Sequence, residues 1–188
     1  QIDEHQRAKS QSQSGWLDPD SAGLGLRFRS LVFVYLAVAG EHLTPNHWVY
    51  FPESRCRLQR TCEFGNFSAD MAPPGHGGVG VEIPCDWQDA TWTMADDALG
   101  RLAVDELARE GYLPRERVKG TWVARERYAY PLFDRDYARK LAAFRAELAA
   151  WPGLYSIGRQ GGFEYIDMGE IVRMGFDLAD ELTGRKAQ

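Results

Sequence analysis

Nine consecutive residues, Leu31-Val-Phe-Val-Tyr-Leu-Ala-Val-Ala39, carry no charge and no polar group beyond one tyrosine hydroxyl. A membrane-spanning helix needs roughly 20 apolar residues, so this run is far too short to cross a bilayer. Its Val, Phe and Tyr content favours extended backbone, and its apolar residues fall on both faces of a strand. Such a segment belongs at the centre of a sheet. His47–Phe51, Leu58–Phe64 and Gly78–Cys85 are shorter runs with a polar residue at every second position, separated by Pro, Gly, Asn or Asp. They read as further strands joined by turns in an antiparallel sheet. Val118–Tyr130 is a long strand ended by Pro131, and Leu154–Ile157 a short one.

Three helices are expected between these strands. The first is capped by Thr93 with Asp96 three residues later, carries Leu99, Leu102, Ala103 and Leu107 on one face, and stops at Gly111 ahead of Pro114. The second runs from Arg135 to Ala150 with Asp134 as N-cap, and its stripe Tyr137, Leu141, Phe144, Leu148 and Trp151 is core. The third begins near Asp167 and turns Ile171, Met174, Leu178 and Leu182 inward. The fold class is therefore α+β: a mainly antiparallel sheet with about three helices. Residues 1–22, rich in Gln, Ser and charge, read as an irregular N-terminal arm, and 185–188 as a tail.

The 22 Lys and Arg residues against 27 Asp and Glu leave a formal charge of -5, which argues against a nucleic-acid partner because neutralising phosphates needs a basic face. With 188 residues the chain suits one domain, whereas a cofactor enzyme with separate cofactor and substrate domains needs about twice that. Three cysteines, Cys56, Cys62 and Cys85, make no disulfide framework and fit reduced thiols in a cytoplasmic protein. Cys56 and Cys62 with His47 and His76 lack the paired spacing of a zinc site, so no metal is expected. The first residue is Gln rather than Met, as in a processed, truncated or cloned segment, and no signal peptide or membrane span is visible in it.

Gly75-His-Gly77-Gly-Val-Gly80 spells G-x-G-x-x-G, but Pro73-Pro74 precedes it and a strand follows, where a dinucleotide fingerprint follows a strand and opens a helix. It reads as a flexible turn between strands. Gly23-Leu-Gly25 lacks the third glycine, because Phe28 stands there. The segment Leu154-Tyr-Ser-Ile-Gly-Arg-Gln-Gly-Gly-Phe-Glu-Tyr-Ile-Asp-Met-Gly-Glu170 is more informative. It reads as strand, glycine-rich turn and helix start, with Asp167 and Glu170 spaced as a capping box. Two readings stand: an anion site at Arg159 and the helix start, or a structural turn before a capped helix. Tyr50, Tyr128, Tyr130, Phe163 and Tyr165 are candidate pocket walls or core residues, with Arg57 or Arg127 available to an anionic substrate. His42, His47 and His76 have no partner at a spacing that marks a general base, and no catalytic residue is assigned.

Gly158-Arg159 followed by Phe163-x-Tyr165-x-Asp167-Met168 resembles the C-terminal flavin motif of amine oxidase-like flavoproteins, with protoporphyrinogen oxidase-like proteins and UDP-galactopyranose mutases the nearest kinds. Arg29–Tyr35, Thr44–Pro52, Asn66–Ser68, Met71–Gly75 and Arg127–Pro131 extend the resemblance over about residues 24–182. It implies that FAD is contacted by Gly158, Arg159, Asp167 and Met168, with Gln160 and Gly161 in the same turn. It also implies a substrate-type α+β domain over 23–150 that roofs the flavin, and an FAD-contact strand, turn and helix over 151–184. The implied reaction is oxidation of a small organic substrate through the flavin. A UDP-galactopyranose mutase-like isomerase is one alternative, and a non-catalytic remnant or interaction module is another. That family places a Rossmann unit before these motifs and nothing in the 188 residues matches it, so a Rossmann-bearing partner chain or self-association is expected.

Overall fold

The structure, a computed structural model, describes residues 25–184. The expected arm at 1–22 and tail at 185–188 lie outside the described residues. Five strands, β1 (Arg27–Ala39), β2 (Trp48–Tyr50), β3 (Arg60–Glu63), β4 (His76–Cys85) and β5 (Val118–Leu132), form one antiparallel sheet in the order β2-β3-β4-β1-β5. Four helices accompany them: α1 (Asp96–Arg109), α2 (Tyr137–Ala149), the single turn α3 (Gly158–Gly161) and α4 (Met168–Thr183). The class is α+β, as the sequence implies. The chain divides into two compact units, a sheet unit of Arg29–Ala129 and a helical unit of 25–28 with 130–184.

In the sheet unit β1 is flanked on both sides, paired with β4 over ten residues from Ser30↔Cys85 to Ala39↔His76. Val32, Val34, Leu36 and Val38 alternate onto one face and meet Val79, Val81 and Ile83 of β4. Leu99, Ala103 and Leu107 of α1 cover that face, with Leu58 and Leu113 closing its ends. Each large apolar side chain so buried is worth at most ~1.5–3 kcal/mol. The opposite face of β1 is not covered to the same degree: Phe33 is half-buried and Tyr35 is 36% exposed.

Two buried carboxylates hold the loops to this core. Glu63 accepts the backbone N–H groups of Leu43 and Thr44, the Thr44 hydroxyl and the Tyr112 hydroxyl, all within 2.9 Å. Burial, helped by that carboxylate, pushes the Tyr112 hydroxyl up to about 12. Glu106 of α1 accepts the N–H groups of Arg57 and Leu58 and the Cys56 thiol. A buried charge is tolerated where donors surround it, and both glutamates meet that condition with backbone groups that would otherwise be orphaned.

Several local expectations change. Residues 154–157 belong to no sheet, with Ile157 in extended backbone and the Leu154 N–H bonded back to the Trp151 carbonyl, and the glycine-rich turn after them contains α3. The N-cap position of α1 is Ala95 rather than Thr93, whose hydroxyl donates to the Asp89 carbonyl instead. The N-cap position of α2 is Asp136; Asp134 accepts its N–H and pairs with Lys140 at 2.6 Å. Pro131 lies inside β5, and Trp151 and Leu182 are exposed rather than core. Gly77 and Gly80 sit within β4, where a Cβ on Gly80 would come 2.9 Å from the Phe64 ring; only Gly75, at φ 75°, serves the turn.

Replacing Glu63 with Ala leaves two amides and two hydroxyls, all part-buried, without this acceptor. It should lower stability by about 3 kcal/mol, whereas the exposed Glu116→Ala should stay within about 0.5 kcal/mol. Urea unfolding followed by tryptophan fluorescence reads the difference.

Candidate functional site

The FAD-contact candidates of the sequence gather on one strap of the helical unit. Gly158 is buried at φ 83°, a left-handed conformation that disfavours a side chain, and its carbonyl accepts the Gly162 N–H at 2.7 Å. Phe163 also lies in the left-handed region, at φ 52°, and is 2% exposed. Its ring meets Phe28 edge-on at 5.2 Å and Phe133 at 5.7 Å, beside Leu26 and Leu141. The chain therefore reverses at Phe163, and Arg159 closes the reversal. Its Nε and Nη2 donate to the Ile166 carbonyl at 3.0 and 2.5 Å. The same guanidinium lies 5.0 Å from the Tyr130 ring and 5.3 Å from the Tyr165 ring, which are themselves stacked at 5.5 Å.

The strap ends in the expected capping box. Asp167 Oδ1 accepts the Glu170 N–H at 3.1 Å and Glu170 Oε2 accepts the Asp167 N–H at 2.9 Å. Among the described residues the first-turn N–H groups of Met168 and Gly169 have no partner. They are the donors a helix start offers to an anion. Gly161 is tied to Ser156, whose hydroxyl donates to its carbonyl at 2.9 Å, and Gln160 lies on the exposed side of α3. Gly158, Arg159, Gln160, Gly161, Asp167 and Met168 thus share one eleven-residue strap.

The substrate candidates are divided between the units. Tyr130, Phe163 and Tyr165 belong to the helical unit, where Phe163 is spent on the core. Tyr50, Arg57, Arg127 and Tyr128 belong to the sheet unit. Arg57 is exposed on a loop. The Arg127 guanidinium lies 4.2 Å from the Trp87 ring and 4.7 Å from the Tyr128 ring. Tyr50 stands on the edge strand, where its hydroxyl accepts from Arg60 Nη1 at 3.2 Å.

The sheet register shows what the sequence reading missed. On the face away from α1, one cross-strand row runs Tyr50, Arg60, Glu82, Phe33, and the next runs Trp48, Cys62, Gly80, Tyr35. Arg60 Nη2 pairs with Glu82 Oε1 at 2.8 Å in the middle of the first row. Burial, then the Glu82 charge, raises the Tyr35 hydroxyl above its ordinary value. A cleft of about 340 Å³ lined by Tyr35, Phe64, Met71, Pro73, His76 and Trp122 opens on the same unit. Strand alternation carried this signal, but only pairing places Arg60 beside Glu82.

No three His, Cys, Asp or Glu side chains gather as a metal site among the described residues. His42 and His76 line a second cleft of about 400 Å³ with Glu41 and Asp70, and His47 packs on Phe67 at 4.6 Å. No helix among the described residues is long and apolar enough to cross a membrane.

No family model matches the chain, and no curated protein does. Solved structures do. A reduced UDP-galactopyranose mutase superposes with a TM-score of 0.71 over 90% of this chain at 20% identity. The likeness is one of fold. A putative protoporphyrinogen oxidase from Exiguobacterium sp. 255-15 superposes with a TM-score of 0.62 over 89% of the chain at 15% identity. The chain spans 37% of the length of each of these structures.

The thiols carry a pH signature. Burial and the bond to Glu106 push Cys56 up to about 11, and burial does the same to Cys85. A thiol with that value is roughly 0.1% thiolate at pH 8, against roughly a quarter for a free cysteine. Even allowing for the greater nucleophilicity of the more basic thiolate, iodoacetamide should label Cys56 at least about tenfold more slowly than a free thiol at pH 8. The rate should climb with pH up to about 11, and mass-resolved labelling against pH checks it.

Proposed function

We propose that this chain is the substrate-binding and flavin-contacting portion of an FAD-dependent oxidoreductase of the amine oxidase and protoporphyrinogen oxidase-like type. The observation that carries the reading is agreement over about nine-tenths of the chain with a UDP-galactopyranose mutase and a putative protoporphyrinogen oxidase. The motifs of the strap point the same way. When bound, FAD supplies the redox chemistry, and the chain's residues bind and orient.

The strap fits a polyanionic cofactor at its helix start, where the Met168 and Gly169 amides are open; Gly158 and Gly161 serve close packing instead, since a Cβ there would meet Ile171 and Ser156. The Asp167 and Glu170 carboxylates face the same helix start, but each already accepts a backbone N–H in the capping box. Arg159 keeps the strap closed through the Ile166 carbonyl and adds positive charge beside Tyr130 and Tyr165. On this reading the described residues hold part of an FAD site, the strap. On the sheet unit, the aromatic rows with Arg60 and Glu82 form the substrate-facing surface, where Arg60 pairs with an acidic group and the rings cover apolar area.

A second reading, a UDP-galactopyranose mutase-like isomerase portion, is favoured by the higher fold agreement with the mutase. Binding of a uridine diphosphate sugar, with no response to simple amines, would select it.

Titration of the full chain with FAD, followed by flavin fluorescence, tests the flavin reading. Weak, saturable binding is expected. Arg159→Ala should raise Kd at least about tenfold, or ~1.4 kcal/mol, and Arg139→Ala on the exposed side of α2 should leave it unchanged. No saturable change with the unaltered chain would overturn the proposal.

A further inference from the structure

One ion pair governs which charges the open face of the sheet unit can meet. In the two cross-strand rows of that face, Arg60 and Glu82 are the only charged side chains, among rings, Cys62 and Gly80. Arg60 Nη2 lies 2.8 Å from Glu82 Oε1, and the two side chains are 26% and 11% exposed. At that depth salt screens them weakly, so the Glu82 carboxylate acts on whatever approaches Arg60. Its charge reaches the next row, where, after burial, it raises the Tyr35 hydroxyl. The cleft of about 340 Å³ beside Tyr35 has no Lys or Arg in its lining, and the cleft of about 400 Å³ that shares Pro73 and His76 with it adds Glu41 and Asp70. Arg125 of β5 is committed on the α1 side, to the Trp92 and Met94 carbonyls and Asp96. In these rows and clefts one guanidinium is thus already matched by one carboxylate.

Tyr50 forms the outer rim of the pair. Its hydroxyl accepts from Arg60 Nη1 at 3.2 Å, and its own hydrogen has no acceptor among the described residues. The ring is exposed, with the Arg60 guanidinium 5.9 Å from its centre. A hydroxyl that accepts from a cation is the stronger donor, so Tyr50 offers a charge-assisted contact to an anion arriving from solvent. A carboxylate brings one negative charge to a pair of zero net charge. A phosphate monoester brings nearly two, and Glu82 then repels it with no second cation in the rows to compensate. The body of such a ligand meets rings: Phe33 and Tyr35 stack at 6.1 Å, and Phe64 lies 6.1 Å from Tyr35, over Gly80.

We infer that Glu82 sets the charge specificity of this face, admitting an aromatic ligand with a single carboxylate at Tyr50 and Arg60 and excluding phosphate and diphosphate esters. This deepens the proposed function and rests on it for one point, that the face meets substrate. It adds the class of substrate: a planar apolar body with one acidic group. Specificity of this kind comes from a repulsive element placed beside an attractive one, and Glu82 is that element. A sugar nucleotide, with its two linked phosphates, is the ligand such an arrangement rejects.

The test uses the full chain without flavin at about pH 8, where a phosphate monoester is a dianion. Naphthoate and naphthyl phosphate share one ring system and differ in charge, and saturation-transfer NMR titrations read the affinity of each. Naphthoate should bind at least about tenfold more tightly than the phosphate. Glu82→Gln keeps the shape of the side chain and removes its charge; it should tighten naphthyl phosphate at least about tenfold and erase the preference. Tyr50→Phe, at the exposed rim, should weaken naphthoate at least about fivefold. Glu116→Gln should alter neither probe, and circular dichroism checks the fold of each variant. Four results would each overturn the proposal: no saturable binding of either probe; phosphate bound as tightly as naphthoate by the unaltered chain; a preference that survives Glu82→Gln; or naphthoate binding indifferent to Tyr50→Phe. If Glu82→Gln does not fold, the unaltered chain and Tyr50→Phe still decide. Because FAD is absent, a failed flavin titration leaves the charge preference standing, and a failed preference leaves the titration standing.

Discussion

Phe163 holds the helical unit together through a backbone conformation that side chains rarely adopt. Among the described residues the unit's buried core cluster is Leu26, Leu141 and Phe163, and the Phe163 ring is the one that touches several aromatic neighbours. Placing the ring there requires a left-handed residue between α3 and the approach to α4. A strained non-glycine conformation costs on the order of 1 kcal/mol or more, which burial of a phenylalanine offsets. The same reversal brings the Ile166 carbonyl within reach of Arg159, so packing of one ring sets the shape of the whole strap.

The sheet unit solves a different problem. Its central strand is apolar on both faces, but helix α1 covers one face only. The second face is a surface of rings and glycines crossed by the Arg60–Glu82 pair, not the evenly charged lattice of a solvated sheet. The buried carboxylates Glu63 and Glu106 lie on the covered side, where they gather loop amides. Acidic groups thus serve two ends in this unit: inside they organise backbone, and on the open face Glu82 meets a cation in an aromatic setting.

Much of this was legible in the residues. The five strands follow from runs of β-branched and aromatic residues between turn formers. The α1 stripe follows from 3.6-residue spacing. The capping box of Asp167 and Glu170 needs only three residues of separation, and the structure forms it as the pattern implies. The expectations that failed depend on what stands next to a segment. Leu154–Ile157 has the composition of a strand but pairs with no strand among the described residues, and a strand does not exist without a partner. Trp151 and Leu182 continue apolar stripes beyond the point where their own unit has surface to bury them.

By itself the sequence determined the class of fold, the central place of β1 and the glycine–arginine strap with its capped helix, because each rests on local periodicity or a fixed short spacing. Only the tertiary structure decided that Phe163 is core, and that two of the G-x-G-x-x-G glycines, Gly77 and Gly80, lie within β4, with Gly80 against the Phe64 ring. It alone set Arg60 opposite Glu82, a residue some twenty positions further along the sequence. Those outcomes depend on register and on which partners a fold brings near, and side-chain contacts of that kind are absent from any short window of the chain.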